Sequence, residues 1–589
     1  MARRFGVAWI LLATVALFGF VAPGGGAAET MLVSTNPESN EVLTASPPAI
    51  ELVFAGPVEE AEISLLSSDG TVSGPAVGVL GGDGTVVSVE IPEPLADGTW
   101  TVLWTATYEK TGVPVAGSFG FRVGVLPEVS LDAGGVVPAW ATATTAGSMA
   151  AMVGAAIALL LVMAGKRAFL RWALLLAGVS VGLTAAKAVL TGTVAPAAAG
   201  LSLGDGLAGL DSGDRWRTVA AVIVFGLAGI AEWVRGLPDV VRKVAVGIAI
   251  PVAIAGVVIG PYLSGMVSFG GGDEPSVNPT LVRVDVASQF PLADQSAGVV
   301  DLALSPSLPG ANSVVVQFRA GGDPLPASAM PMVDIAFTPV AHAGSAVSVS
   351  PMAMPVGAIF TGSVKLDSPG WWHALITMVP PEGDPLQVNQ WFLLPDPNVT
   401  GEGPTAPDDP VARAVWQRAL DQWDGLTSIK YSQRLGDGSG VLYQSSTEVS
   451  APTADGPALY HDISTTAESV IIDGTMWTKR DGGDWEESAA ASLYLPDEWG
   501  EVYTKSRGFQ LGPVEVIDGA EYQVIAFYLP KAKRNAAAWY LWWVERSSGQ
   551  VHREVMVSTR HYMLYRFYDY GVPISVTPPA ERTGPPTSP

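Results

Sequence analysis

The feature that most limits what this chain can become is a block of four apolar stretches, at 144–165, 169–190, 218–234 and 244–267, set between long acidic regions. Each approaches the ~20 residues that a helix needs to cross the hydrocarbon core of a bilayer, and a helix satisfies its own backbone hydrogen bonds there. Over 589 residues, 48% hydrophobic composition coexists with a net charge of −24. That combination predicts a multidomain membrane protein with acidic, water-exposed domains on either side of the spans.

The flanks set the orientation. Lys166, Arg167 and Arg171 lie between the first two stretches, and Arg235, Arg242 and Lys243 between the last two. Basic loops stay in the cytoplasm, so both long flanking regions are expected outside it, along with the loop at 191–217 that carries Asp205, Asp211 and Asp214. Lys187 and Glu232 are close enough to span ends to reach the interface, so the spans read as an anchor rather than an ion pathway.

The first 28 residues agree with export: Arg3 and Arg4, an apolar run from Val7 to Val21, and small residues at Gly26 and Ala28 form a secretory signal peptide or, in the alternative, an uncleaved anchor. The chain has no cysteine, which excludes disulfides, thiolate metal sites and cysteine nucleophiles. Its acidity excludes nucleic acid as a partner, since phosphate binding needs a basic surface.

Residues 29–125 read as short alternating strands, with turn signals at Ser68-Asp69-Gly70, Gly81-Gly82-Asp83-Gly84 and Ala96-Asp97-Gly98. Such spacing predicts an immunoglobulin-like β-sandwich. Ile50, Leu52 and Phe54 alternate near the start. In the closing segment "GTWTVLWTATYEKTGVPVAGSFGFRV", Trp100, Val102 and Trp104 alternate before a turn at Gly112 and Pro114, and Phe119 and Phe121 follow. A second exported β domain is expected at 281–396, from "GVVDLAL", "NSVVVQFRA" and "WWHALITMV". After the linker "PDPNVTGEGPTAPDDP" comes a third domain at 410–578, opening with a helix over Val411–Trp423, and 579–589 reads as a disordered tail.

Residues Ser34–Val58 ("STNPESNEVLTASPPAIELVFAGPV") and the closing hairpin resemble the bacterial copper-resistance CopC family. The order of an exported sandwich, membrane spans and further exported domains resembles the CopC/CopD fusion proteins. The resemblance implies copper handling, with copper(II) held by the amino group and imidazole of an N-terminal histidine and by the histidine and aspartate of the hairpin turn. Those positions fall here on Glu29, Val113 and Thr111, which makes them a degenerate copper site. Copper(II) favours nitrogen and oxygen ligands, and a valine offers no lone pair.

The five histidines, His342, His373, His461, His552 and His561, all follow the spans, so none replaces the lost ligands locally. Residues 327–360 carry Met330, Met332, Met352 and Met354 with His342 between the pairs. Spacing by two on a strand puts each pair of sulfurs on one face, and thioethers with an imidazole suit copper(I). The same methionines can instead fill a sandwich core, since the thioether side chain adapts to irregular gaps. Met-Pro-Met with "SPGWWHALITMV" is similar to exported domains of the FixH/YtkA type.

The third domain's helix followed by long strands resembles the LolA/LppX-like α+β half-barrels, which implies an apolar concavity for acyl chains. Its aromatic strands, with Trp539, Leu541 and Trp543 alternating, either line such a cavity or pack against the helix carrying Trp416 and Trp423. No nucleophile and base constellation accompanies His552 and His561, so no enzyme is expected. The sequence therefore predicts a multi-pass envelope protein that binds copper or, in the alternative, a lipid or other apolar ligand with the first sandwich as spacer.

Overall fold

The computed structural model describes residues 32–193 and 281–579 except for 111, 113, 126, 128, 135–138, 164–166, 282, 292–296, 321–322, 326, 330–331, 341–345, 355–358, 439–441, 453–455, 481–482, 491–494, 496–498 and 533–535. The leader at 1–28, Glu29, Thr111, Val113, Met330, His342, the stretches 218–234 and 244–267, and the tail after residue 579 lie outside the described residues.

The alternating pattern at the start of the chain closes into two facing sheets. One runs Leu32–Asn36, Ala49–Phe54, Val86–Glu90, Val79–Leu80; the other runs Val42–Leu43, Pro114–Val123, Gly98–Tyr108, Val58–Ser67, Val72–Val77. Ile50, Leu52 and Phe54 from the first sheet bury against Val102, Trp104, Phe119 and Phe121 from the second. Phe54 meets Trp104 edge-on at 5.5 Å, a geometry that adds about 0.5–1.5 kcal/mol to simple burial. Gly117 is the cross-strand partner of Trp104, and a Cβ there would sit 2.5 Å from the indole, so this position requires glycine.

Two long helices follow, α1 (Ala139–Met163) and α2 (Leu170–Thr193). Both are long and apolar enough to cross a membrane. These are the two apolar helices among the described residues, where the sequence predicts four. They pack through small residues, Ala155 and Ala158 against Ala173 and Ala177, which lets the backbones approach. Ser148 Oγ then lies 3.0 Å from Ser180 Oγ and 2.9 Å from Thr184 Oγ1. Lys187, expected to reach the interface, is instead buried and donates to Thr145 Oγ1 at 3.1 Å, because the close helix pair brings that hydroxyl within reach.

The second sandwich pairs a six-stranded sheet, built around Val284–Pro291, Ala297–Ser305, Gly310–Ala320 and Ile359–Leu366, with a four-stranded sheet of Val347–Val349, Met332–Pro339, Gly370–Val379 and Leu386–Leu394. Val300, Phe318 and Phe360 face Phe337, Ile376 and Phe392 across its core. The linker expected after it is packed rather than extended. Asp396 is 2% exposed and accepts from the Asn398 N–H at 2.8 Å to start the turn Pro397–Thr400, and Thr405 pairs with the chain at Leu131 and Ala133. Proline and aspartate make a capped turn here, and its apolar members dock on neighbouring strands.

The last domain is one eleven-stranded antiparallel sheet. A six-strand meander from Ser428 to Ala489 and a five-strand meander from Arg507 to Tyr568 join where Ser428–Gly436 pairs with His561–Tyr568. Helix α3 (Pro410–Asp421) lies on one face. Its N-cap Asp409 accepts from the Val411 N–H at 2.7 Å and Pro410 takes the first turn, an arrangement that fixes where the helix starts. The second sandwich covers the other face through Trp371, Trp391 and Leu393 against Val524, Leu541 and Trp543. The two sandwiches meet through Leu66, Leu103 and Ala116 on one side and Ala303, Val315 and Ile359 on the other.

Candidate functional site

Met332 and Met352 open strands on different sheets of the second sandwich. Met332 opens the strand Met332–Pro339, opposite Val379, and is 50% exposed. Met352 begins the two-residue strand Met352–Ala353 on the other sheet, opposite Thr361, and is 73% exposed. Met354 leaves that ladder, bonds through its N–H to Ile359 O at 2.8 Å, and packs against the cluster joining the two sandwiches. Met330 and His342 lie outside the described residues. The second pair therefore divides between solvent and interface, because the first sandwich covers Met354 and leaves Met352 open.

The four described histidines are half-buried. His373 stacks on Trp391 at 5.2 Å and its Nε2 lies 2.8 Å from Asn389 Oδ1; burial pushes its pKa below the usual range. His461 Nε2 lies 2.9 Å from Glu468 Oε1. Burial likewise lowers His552 and His561. Among the described residues, no group of three or more His, Cys, Asp or Glu is arranged to hold a metal ion.

In the last domain the aromatic strands pack against the helix. Trp416 meets Phe509 at 4.9 Å, and Trp423, 1% exposed, meets Trp542 at 5.2 Å and Tyr503 at 5.5 Å. Tyr540 and Trp542 pack under the helix, whereas the alternating Trp539, Leu541 and Trp543 face the second sandwich, a cover that neither sequence reading named. On the opposite face Trp391 meets Trp543 edge-on at 5.0 Å, and Arg553 lies 4.9 Å from the first ring and 5.2 Å from the second, a cation–π contact that alternation alone does not announce.

Residues 32–124 match the CopC domain model. The CopC domain is thus the sandwich built on Phe54 and Trp104. Among solved structures, CopC from Methylosinus trichosporium OB3b is 28% identical, covering 17% of this chain and 98% of that one with a TM-score of 0.15. PcoC, a copper resistance protein from Escherichia coli, is 26% identical over 16% of this chain and 97% of its own, TM-score 0.13. LprF from Mycobacterium bovis is 17% identical over 30% of this chain and 100% of its own, TM-score 0.26. No curated protein matches the chain.

The donor chemistry of this CopC domain does not suit copper(II). The hairpin turn closes through the Gly112 N–H on Tyr108 O at 2.8 Å, with Gly112 at φ 62°. Threonine and valine flank that glycine, and the first sandwich contains no histidine at all. Met332 and Met352 present exposed thioethers on the second sandwich, a donor type that favours a soft ion. Asp301 and Arg319, which the sequence does not mark as a site, pair on the outer face of the second sandwich. Their signal was a charge within each of the apolar runs "GVVDLAL" and "NSVVVQFRA".

Proposed function

We propose that this is an extracytoplasmic, membrane-anchored protein that binds copper(I) rather than a catalyst, with its CopC domain as scaffold and the thioethers of the second sandwich as ligands. The observation that carries the reading is the solvent exposure of Met332 and Met352 on a sandwich docked against a CopC domain. Methionine is ordinarily among the buried residues, so two exposed thioethers, one on each sheet of the second sandwich, are chemically available. The spans hold the chain at the membrane with both flanking regions outside the cytoplasm, as the basic loops require. The apolar-ligand alternative is less favoured because Trp416, Trp423 and Phe509 occupy the face under α3.

The test loads the full chain with copper(I) under reducing conditions and measures metal retained against a chromogenic copper(I) chelator. The wild type is expected to retain copper, and a variant with Met330, Met332, Met352 and Met354 all changed to Leu to lose it. Leucine keeps most of the volume and apolarity, so the fold should survive. No retention by the wild type, or equal retention by the variant, would overturn the assignment.

A further inference from the structure

The outer face of the second sandwich does not meet solvent as an edge-of-protein sheet would. It forms the floor of a cleft of about 480 Å³ whose walls come from the CopC domain at Ser118 and from the last domain at Gln444. That volume is within the range of about 300–1,000 Å³ found for small-molecule sites, and junctions between domains are where such sites tend to form.

The chemistry of the cleft is specific. Arg283 pairs with Asp285 at 2.8 Å and also donates to Ser118 Oγ at 3.1 Å, which ties the floor to the CopC wall. Arg319 pairs with Asp301. Each carboxylate spends one oxygen on its arginine, and the other oxygen, Oδ1 of Asp285 and Oδ1 of Asp301, is buried without a partner. The amide nitrogen of Gln444 in the wall is buried without a partner too. Asp301 is only 8% exposed, so bulk water does not serve it. Polar atoms left this way are costly, and groups of them lining one cavity mark a place where a ligand supplies the missing hydrogen bonds.

The unmet groups define the ligand. Two carboxylate oxygens ask for N–H donors, and cationic donors serve them best. One amide N–H asks for an acceptor, such as a carbonyl or carboxylate oxygen. A free α-amino group followed along its backbone by carbonyl oxygens carries both. We propose that this cleft binds the amino-terminal end of a short peptide, its ammonium between Asp285 and Asp301 and a backbone carbonyl on Gln444. Burial holds the Asp301 carboxyl up at about 6 against the pull of Arg319, with the nearby Asp285 carboxylate adding to the rise, and an incoming ammonium would draw it down. A small peptide would thereby join all three exported units in one site.

Every group invoked addresses backbone atoms, so a glycine peptide is a sufficient probe. Isothermal titration of the full chain in detergent with triglycine is expected to show one site per chain. N-acetyl-triglycine, whose amine is blocked, should bind at least tenfold more weakly, as should triglycine to Asp301→Asn. Should Asp301→Asn fail to fold, Gln444→Leu reads the other end of the ligand and is expected to weaken triglycine while leaving putrescine unaffected. Silence with triglycine, equal binding of the acetylated peptide, or putrescine binding as tightly as triglycine would each overturn the proposal.

Discussion

Glu554 offers a direct measurement of how firmly the last domain is built. The side chain is 2% exposed beneath the aromatic cluster of α3, and its Oε2 accepts from Trp542 Nε1 at 2.6 Å and from the Tyr503 hydroxyl at 2.9 Å. Burial pushes its pKa from 4.5 up to about 7, against the pull of those two donors. A raised folded-state pKa means that the native state holds the proton more tightly than the unfolded chain. The contribution is therefore fully present below about 4.5 and is lost as pH rises through about 7. Each pKa unit corresponds to about 1.4 kcal/mol, so stability should fall by about 3 kcal/mol between about pH 4 and about pH 8 from this group alone. Glu554→Gln keeps an oxygen to accept both hydrogen bonds and has no proton to lose. Urea unfolding followed by tryptophan fluorescence, which Trp423 and Trp542 dominate locally, should show the wild type and Glu554→Gln converging at low pH. The variant should be the more stable by about 3 kcal/mol at about pH 8. Parallel pH profiles for the two proteins would refute the reasoning, because they would mean that the carboxylate is not desolvated.

Gly117→Ala should destabilise the CopC domain by about 1–3 kcal/mol through the clash of its Cβ with Trp104, seen as a lower thermal midpoint for that unit; an unchanged midpoint would mean the indole moves freely. Trp423→Ala should cost about 3–5 kcal/mol in the last domain, since the side chain is 1% exposed and contacts Trp542, Tyr503 and Phe567. Urea titration checks it, and a loss under about 1 kcal/mol would show that the site collapses around the missing ring.

The sequence by itself determined the parts of this protein that depend on near neighbours. Alternation at Ile50, Leu52 and Phe54 and at Val102 and Trp104 assigned those side chains to a sandwich core, and they are buried there. The helix expected over Val411–Trp423 forms as Pro410–Asp421, started by an aspartate cap and a proline that any reader of the chain can see. The absence of histidine from the hairpin turn is likewise a matter of residue identity. Tertiary structure decided the rest. Asp301 and Gln444 lie in different domains far apart in the chain, and the charge within "GVVDLAL" does not by itself say that a second domain faces it. Met352 and Met354 are two residues apart, yet one is open and the other is covered by a domain encoded before the spans. A period of two says which side of a sheet a residue faces. What covers that side depends on strands far along the chain, whose mutual fit of shape and charge no local pattern encodes.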